Sequence, residues 1–280
     1  MIDDSDPMLS RIVPILAGVS GVEGIVLGGS RARGTATAAS DYDIGLYFQS
    51  DAPLDTEHLS GVVLPLVDDP VLAAVTPVGE WGPRIVGGAW LSIEARKVDL
   101  LYREIEAVGS VIGDCHAGRI SMHYQPGHPH GFCSAIWMGE VAICRPLFDP
   151  RGAIAELKMK TSPYPEQLRE ALLKMFLWEV SFSIESVATA VSRGDRTHVA
   201  GCAYRALCCA SQVLFALNRR YLINEKAALL EAADFPCTIS DLRSRIDSIW
   251  SAIGQAEFLV GLSDLKALES ELQVLAATDG

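Results

Sequence analysis

The sequence predicts an α+β chain in two parts, an N-terminal unit of strands with flanking helices and a C-terminal helical bundle. Three observations lead there. Short apolar, partly β-branched runs bounded by glycine turns fill the first part, as at Ile25 to Leu27 and Tyr42 to Phe48. Alternation on both sides of Glu94-Ala95-Arg96 reads as a β-hairpin. Beyond Pro165 the strand signals vanish and long runs of helical period take over, which is the pattern of an antiparallel bundle. The change of grammar at 150–165 divides the chain into residues 1–150 and 151–280.

Taken in order, Met8, Ile12, Val13, Ile15, Leu16 and Val19 mark a first helix. Ile25 to Leu27 then reads as a buried strand that stops at Gly28-Gly29, where the chain must turn. Ser30 stands where an N-cap would, before Arg31, Ala32, Arg33 and Ala36, and a helix terminus with unpartnered N–H groups is an anion site. Tyr42 to Phe48 is a second strand. Asp51 to Asp55 is a turn into a helix with Leu59, Val62, Val63, Leu66 and Val67 inward, and Asp68-Asp69-Pro70 ends it. A short apolar run, Val71 to Val78, precedes a loop at Gly79 to Pro83 and the hairpin of Gly87 to Arg103. Helices are expected at 104–111 and 134–143, and Arg145 to Pro150 reads as the start of the linker. In the second part the spacing predicts helices over 166–192, 198–218, 225–234, 239–252 and 255–277, with a turn at Arg193-Gly194-Asp195-Arg196.

Composition narrows the function. A net charge of −12 argues against a general nucleic-acid binder, which needs a basic face, yet it would attract a cationic small molecule. Seven cysteines without a CxxC pair or zinc-type spacing read as free thiols in a reducing cytoplasm. The acidic N-terminus does not read as a signal peptide, and no membrane-spanning run of ~18 apolar residues is expected.

The chemistry concentrates in carboxylates. A strand's period of two puts Asp41 and Asp43 on one face, about 7 Å apart, and two carboxylates aimed the same way repel unless a cation lies between them. A phosphate-binding turn followed by such a pair suggests nucleotide phosphates held through divalent metal ions. Asp99 is the one charge in the apolar run Val98 to Tyr102, where a carboxylate is costly unless it is paired or binds metal. It is thus the natural third carboxylate, the alternative being a salt bridge to Lys97 or Arg103.

Gly28-Gly29-Ser30, then Asp41-Tyr42-Asp43, then a strand-borne Asp99 resemble the signature of the DNA polymerase β-like nucleotidyltransferase superfamily over residues 8–115. Within it the chain is similar to the small bacterial aminoglycoside and lincosamide nucleotidyltransferases. The resemblance implies a mixed-sheet core, two Mg²⁺ ions with Asp41, Asp43 and Asp99 as ligands, and nucleotide-phosphate contacts from Gly28, Gly29, Ser30 and Arg33. It further implies a bundle that closes over the nucleotide, in which Lys174, Tyr221 and Lys226 would reach the triphosphate. The alternative for the cations around Tyr221 is favourable charge at a helix C-terminus. Glu179, in the apolar company of Met175, Phe176 and Phe182, is a candidate general base, as is Glu140; a partly exposed Glu beside Trp178 is the plainer reading. The loop carrying His123, His128 and His130 could line a substrate, bind metal or serve structure alone. Arg193 and His198 match a loose ribonuclease-toxin pattern, but the match is two residues wide and chance explains it better.

The expected reaction is transfer of AMP from ATP to a hydroxyl of a small molecule, such as an antibiotic, by a cytoplasmic monomer or homodimer that binds neither nucleic acid nor membrane. Two alternatives stand beside it: a non-catalytic nucleotide-binding protein of antitoxin type, and an enzyme that nucleotidylates another protein.

Overall fold

The computed structural model describes residues 6–82 and 84–278. The chain forms two compact units. One comprises Met1–Asp114, Met122–Gln125 and Phe132–Pro163; the other comprises Cys115–Ser121, Pro126–Gly131 and Tyr164–Gly280.

The N-terminal unit opens with α1 (Pro7–Ala17), capped by Asp6, whose carboxylate accepts from the N–H groups of Met8 and Leu9. Then come β1 (Gly24–Leu27), α2 (Gly29–Arg33), β2 (Tyr42–Phe48) and α3 (Thr56–Val63), which runs into a 3₁₀ turn at Leu64–Leu66. The hairpin of β4 (Gly88–Ile93) and β5 (Arg96–Glu104) follows the two-residue β3 (Ala74–Val75). Beyond it lie α4 (Ile105–His116), a minor hairpin of β6 (Met122–His123) and β7 (Phe132–Cys133), α5 (Ile136–Ile143), β8 (Arg145–Phe148) and α6 (Ala153–Met159). The segment Arg145 to Phe148, expected to begin a linker, is therefore an edge strand paired antiparallel with β1. Its Pro146 suits an edge, where a missing N–H leaves no ladder bond unmade.

The six strands stand in the order β3-β4-β5-β2-β1-β8. Only β2 and β5 run parallel, so the sheet is mixed. Strand alternation decides what is buried. Ile25, Leu27, Tyr42, Ile44, Leu46, Phe48, Ala89, Leu91, Ile93, Val98, Leu100 and Tyr102 meet Leu9, Ile12, Val13 and Leu16 of α1 and Leu59 and Val63 of α3 in one core. Asp43, Gly45, Tyr47, Trp90, Asp99, Leu101 and Arg103 occupy the alternate positions and so the opposite face.

The hairpin turn is built by Glu94 and Ala95, at φ 53° and 57°, the pair of left-handed residues a tight two-residue turn demands. Asp68 secures it: its carboxylate accepts from Ser92 Oγ at 2.6 Å and from the N–H groups of Glu94 and Ala95, both at 2.8 Å. These bonds hold the Asp68 carboxyl below the ordinary carboxylate range, the Ser92 hydroxyl contributing most.

The second unit is helical. It contains α7 (Glu166–Val191), α8 (Arg196–Leu217), α9 (Ala228–Ala232), α10 (Leu242–Gly254) and α11 (Phe258–Thr278). Asp195 caps α8 through the N–H of His198 at 3.0 Å. Against the expectation of no such stretch, α8 is long and apolar enough to cross a membrane; 72% of its most apolar window is buried within the structure, as the core helix of a bundle requires.

Candidate functional site

The turn after β1 and the parallel pair β2–β5 bring the candidate residues together. Gly28, not Ser30, is the N-cap of α2, because Ala32 N–H already bonds to Gly28 C=O at 3.1 Å. Ser30 falls in the first helical turn, still among N–H groups with no intrahelical acceptor. Gly28 N–H donates to Asp43 C=O at 2.7 Å, which fastens the turn to β2. Gly29 has φ 58°, and a Cβ there would run into Oδ2 of Asp43 and lie 2.7 Å from its Cγ. Both conditions select glycine. Gly29→Ala should therefore displace the Asp43 carboxylate and cost about 1–3 kcal/mol of stability, read as a lowered midpoint in urea unfolding.

Register places Asp99 beside Asp43. The two are Cα partners across the parallel strands, and both side chains lie on the face away from the core, half-buried. Asp41 stands one residue before β2, and its carbonyl accepts from Arg31 Nε at 3.1 Å. Arg31 also donates to Ser40 C=O at 2.7 Å and lies over the Tyr42 ring at 3.8 Å. Tyr42 in turn donates its hydroxyl to Asp6, at 3.0 Å to Oδ2. Arg31 is a positioning residue for the loop that delivers Asp41 and Asp43, and the sequence reading, which singled out Arg33, passed over it. Arg33 is exposed at the last position of α2.

The salt bridge considered for Asp99 through Arg103 is not the one formed. Arg103, 3% exposed, donates from Nε and Nη2 to the two carboxylate oxygens of Glu140 on α5, at 2.9 and 2.8 Å. It also donates to Tyr102 C=O at 2.9 Å and lies 5.8 Å from the Trp137 ring centroid. Burial alone would favour loss of its proton, but the Glu140 carboxylate reverses that and holds the guanidinium more firmly charged. Glu140, a candidate base from the sequence, is thereby committed to a buried fork-to-fork pair. Tyr47, opposite Arg103 in register, is wholly enclosed, and burial pushes its phenol far up.

Among the described residues no group of three His, Cys, Asp or Glu is spaced to hold a metal ion. Magnesium, however, is ordinarily held by one or two carboxylates together with substrate phosphates. The oxygen-only pair Asp43 and Asp99, with Asp41 two residues upstream and the N–H groups of the α2 terminus adjoining, is a donor set of that kind. A hard divalent cation there would offset negative charge on a bound polyphosphate.

The residues named in the bundle are placed as follows. Glu179 is paired with Arg205 of α8, so a cation replaces the apolar surroundings expected for it. Lys174 is exposed on α7, and Lys226 is exposed with its N–H bonded to Asn224. Tyr221 packs against Tyr164 with ring centroids 4.7 Å apart and planes tilted by 39°, and burial raises its phenol. Of the three loop histidines, His123 belongs to the N-terminal unit and His128 and His130 to the helical one. His123 bonds Arg84 at 2.8 Å and is pushed down by burial and by that cation. His128 faces Glu225 at 3.5 Å, and the N–H of His130 donates to the same carboxylate at 3.1 Å. Burial works against the Glu225 anion, yet these partners hold it below its ordinary range.

Residues 9–108 match the family model described as a nucleotidyltransferase domain. Residues 139–226 match a domain of unknown function, DUF4037. No curated protein matches the chain. Among solved structures, a nucleotidyltransferase-like protein from Exiguobacterium sibiricum is similar at 11% identity with a TM-score of 0.43, covering 96% of this chain and 76% of that one. The glycine turn and the paired strand carboxylates lie inside the matched segment, so residues 9–108 carry the nucleotidyltransferase domain, while the edge strand β8 of the same sheet lies beyond it.

Proposed function

We propose that the chain transfers a nucleoside monophosphate, AMP from ATP, to a hydroxyl of a small molecule, with Mg²⁺ as the required ion. The observation that carries the reading is the row Gly28, Asp43, Asp99: a turn with open N–H groups for polyphosphate abuts two carboxylates in direct register. The acceptor oxygen forms a bond to the α-phosphorus, the bridging bond from the α-phosphorus to the β-phosphate oxygen breaks, pyrophosphate leaves, and the hydroxyl proton departs to a base. The protein's share is to hold these groups in line and to place charge where charge develops. Gly29 and Ser30 would bind the leaving phosphates, with Arg33 near them and Gly28 holding the turn against β2 through its bond to Asp43, while Asp41, Asp43 and Asp99 would hold the metal. When bound, the cation neutralises the leaving group and acidifies the attacking hydroxyl.

The helical unit's part in this reading rests on the sequence alone: Lys174, Tyr221 and Lys226 toward the triphosphate and Glu179 as proton acceptor. The chain's charge of −12 favours a cationic acceptor, and an aminoglycoside or lincosamide suits that balance.

The test is incubation with Mg²⁺, labelled ATP and a panel of hydroxylated antibiotics. Pyrophosphate release that depends on one acceptor, and that EDTA abolishes, is expected. Tight ATP binding with no transfer to any acceptor, unchanged in Asp99→Ala, would instead identify a nucleotide-binding protein.

A further inference from the structure

The face of the sheet that bears the carboxylates carries another feature. Trp81 and Trp90 stack, with ring centroids 4.5 Å apart and planes within 20° of parallel. Trp90 is 62% exposed. An indole left facing water from the middle of a strand forfeits much of the apolar burial it could gain, and its open ring face is available for stacking against a second ring.

The stack is held in place. Trp81 lies over Gly88, where a Cβ would come within 2.9 Å of its ring, so the bare backbone of β4 makes room for it. Gln125, 3% exposed, donates from Nε2 to Trp81 C=O at 3.1 Å. Both contacts fix the loop before β4 against the strand and present Trp90 with its ring already backed.

Register gives the stack its meaning. Trp90 is the Cα partner of Asp99, Asp99 is the partner of Asp43, and Asp43 C=O accepts from Gly28 N–H. Trp90, Asp99, Asp43 and Gly28 thus form one row across the sheet, with a strand spacing of ~4.8 Å between neighbours. In an in-line displacement at phosphorus the attacking and leaving oxygens are opposite each other. The nucleoside oxygen is equatorial and leaves the line sideways. With pyrophosphate departing at the Gly28 end, the attacking hydroxyl enters from the Trp90 end.

On the reading proposed above, we infer that Trp81 and Trp90 form the acceptor subsite, and that the acceptor is a hydroxyl compound whose ring face lies on the Trp90 indole with its hydroxyl directed at Asp99. One strand spacing separates the indole from Asp99, which a single six-membered ring spans.

The test uses the full chain with Mg²⁺ and α,β-methylene-ATP, and the ring probes 2-deoxystreptamine, methyl α-D-glucopyranoside and myo-inositol, followed by saturation-transfer NMR. At least one probe should bind wild type. Its Kd should rise about 10-fold in Trp90→Ala and recover to within about 3-fold in Trp90→Phe, as loss and recovery of ring stacking dictate. The Kd of the nucleotide analogue should stay constant across these variants. Binding of no probe to the nucleotide-loaded wild type would overturn the inference. So would a weakened analogue in Trp90→Ala, because the stack would then carry the base. Failure of the underlying reading gives a different signature: analogue binding to wild type that needs neither Mg²⁺ nor Asp43, measured on Asp43→Asn.

Discussion

Asp43→Asn will lower nucleotide transfer about 10³-fold, the loss expected when several kcal/mol of charge stabilisation is withdrawn from the transition state. The substitution keeps the shape of a side chain wedged between the Gly29 backbone and Asp99, and the Gly28 N–H bond to the residue 43 carbonyl is untouched. The variant should therefore remain folded at the assay temperature. A loss of activity in a chain that stays folded is the signature of a residue kept for chemistry. Pyrophosphate release measured beside a melting curve reads both, and full transfer by Asp43→Asn would refute the assignment.

The largest effect on stability is expected at the other end of the same sheet face. Glu140→Leu will cost about 3–5 kcal/mol, because it leaves the guanidinium of Arg103 buried and uncompensated. Glu140 is itself 28% exposed, so water can approach the gap, and the lower part of that range is expected. The double variant Arg103→Met with Glu140→Leu should recover most of the loss, since a buried pair replaced by apolar groups of similar volume is often neutral. Urea unfolding of the two single variants and the double variant supplies the cycle. Equal, additive losses would show that the pair contributes no coupling.

Much of this architecture was legible one residue at a time. Apolar runs ending at Gly28-Gly29, the alternation around Glu94-Ala95-Arg96 and the helical period after Pro165 are local signals, and the elements formed where they stand. The family model over residues 9–108 covers nearly the span over which the motifs suggested a resemblance. Boundaries failed where a distant partner intervened. Arg145 to Phe148 carries Pro146 and a charge, which locally read as an interruption, yet it pairs along β1 and completes the sheet. Glu179 sat among apolar neighbours in sequence, and the helix packed beside it brought Arg205.

Chain chemistry settled which groups this protein has to work with: a glycine turn that only glycine can make against a carboxylate, two aspartates with period-two spacing, and a third in an apolar strand. Their identity and order are written in local spacing, because strand alternation and turn conformation depend on few neighbours. Tertiary packing alone settled who meets whom. The parallel register that sets Asp99 beside Asp43, the choice of Glu140 over Asp99 as the partner of Arg103, and the row that ends at Trp90 all join residues distant in the chain. Register of that kind is chosen by burying one whole face of the sheet at once, and no single stretch of sequence contains that condition.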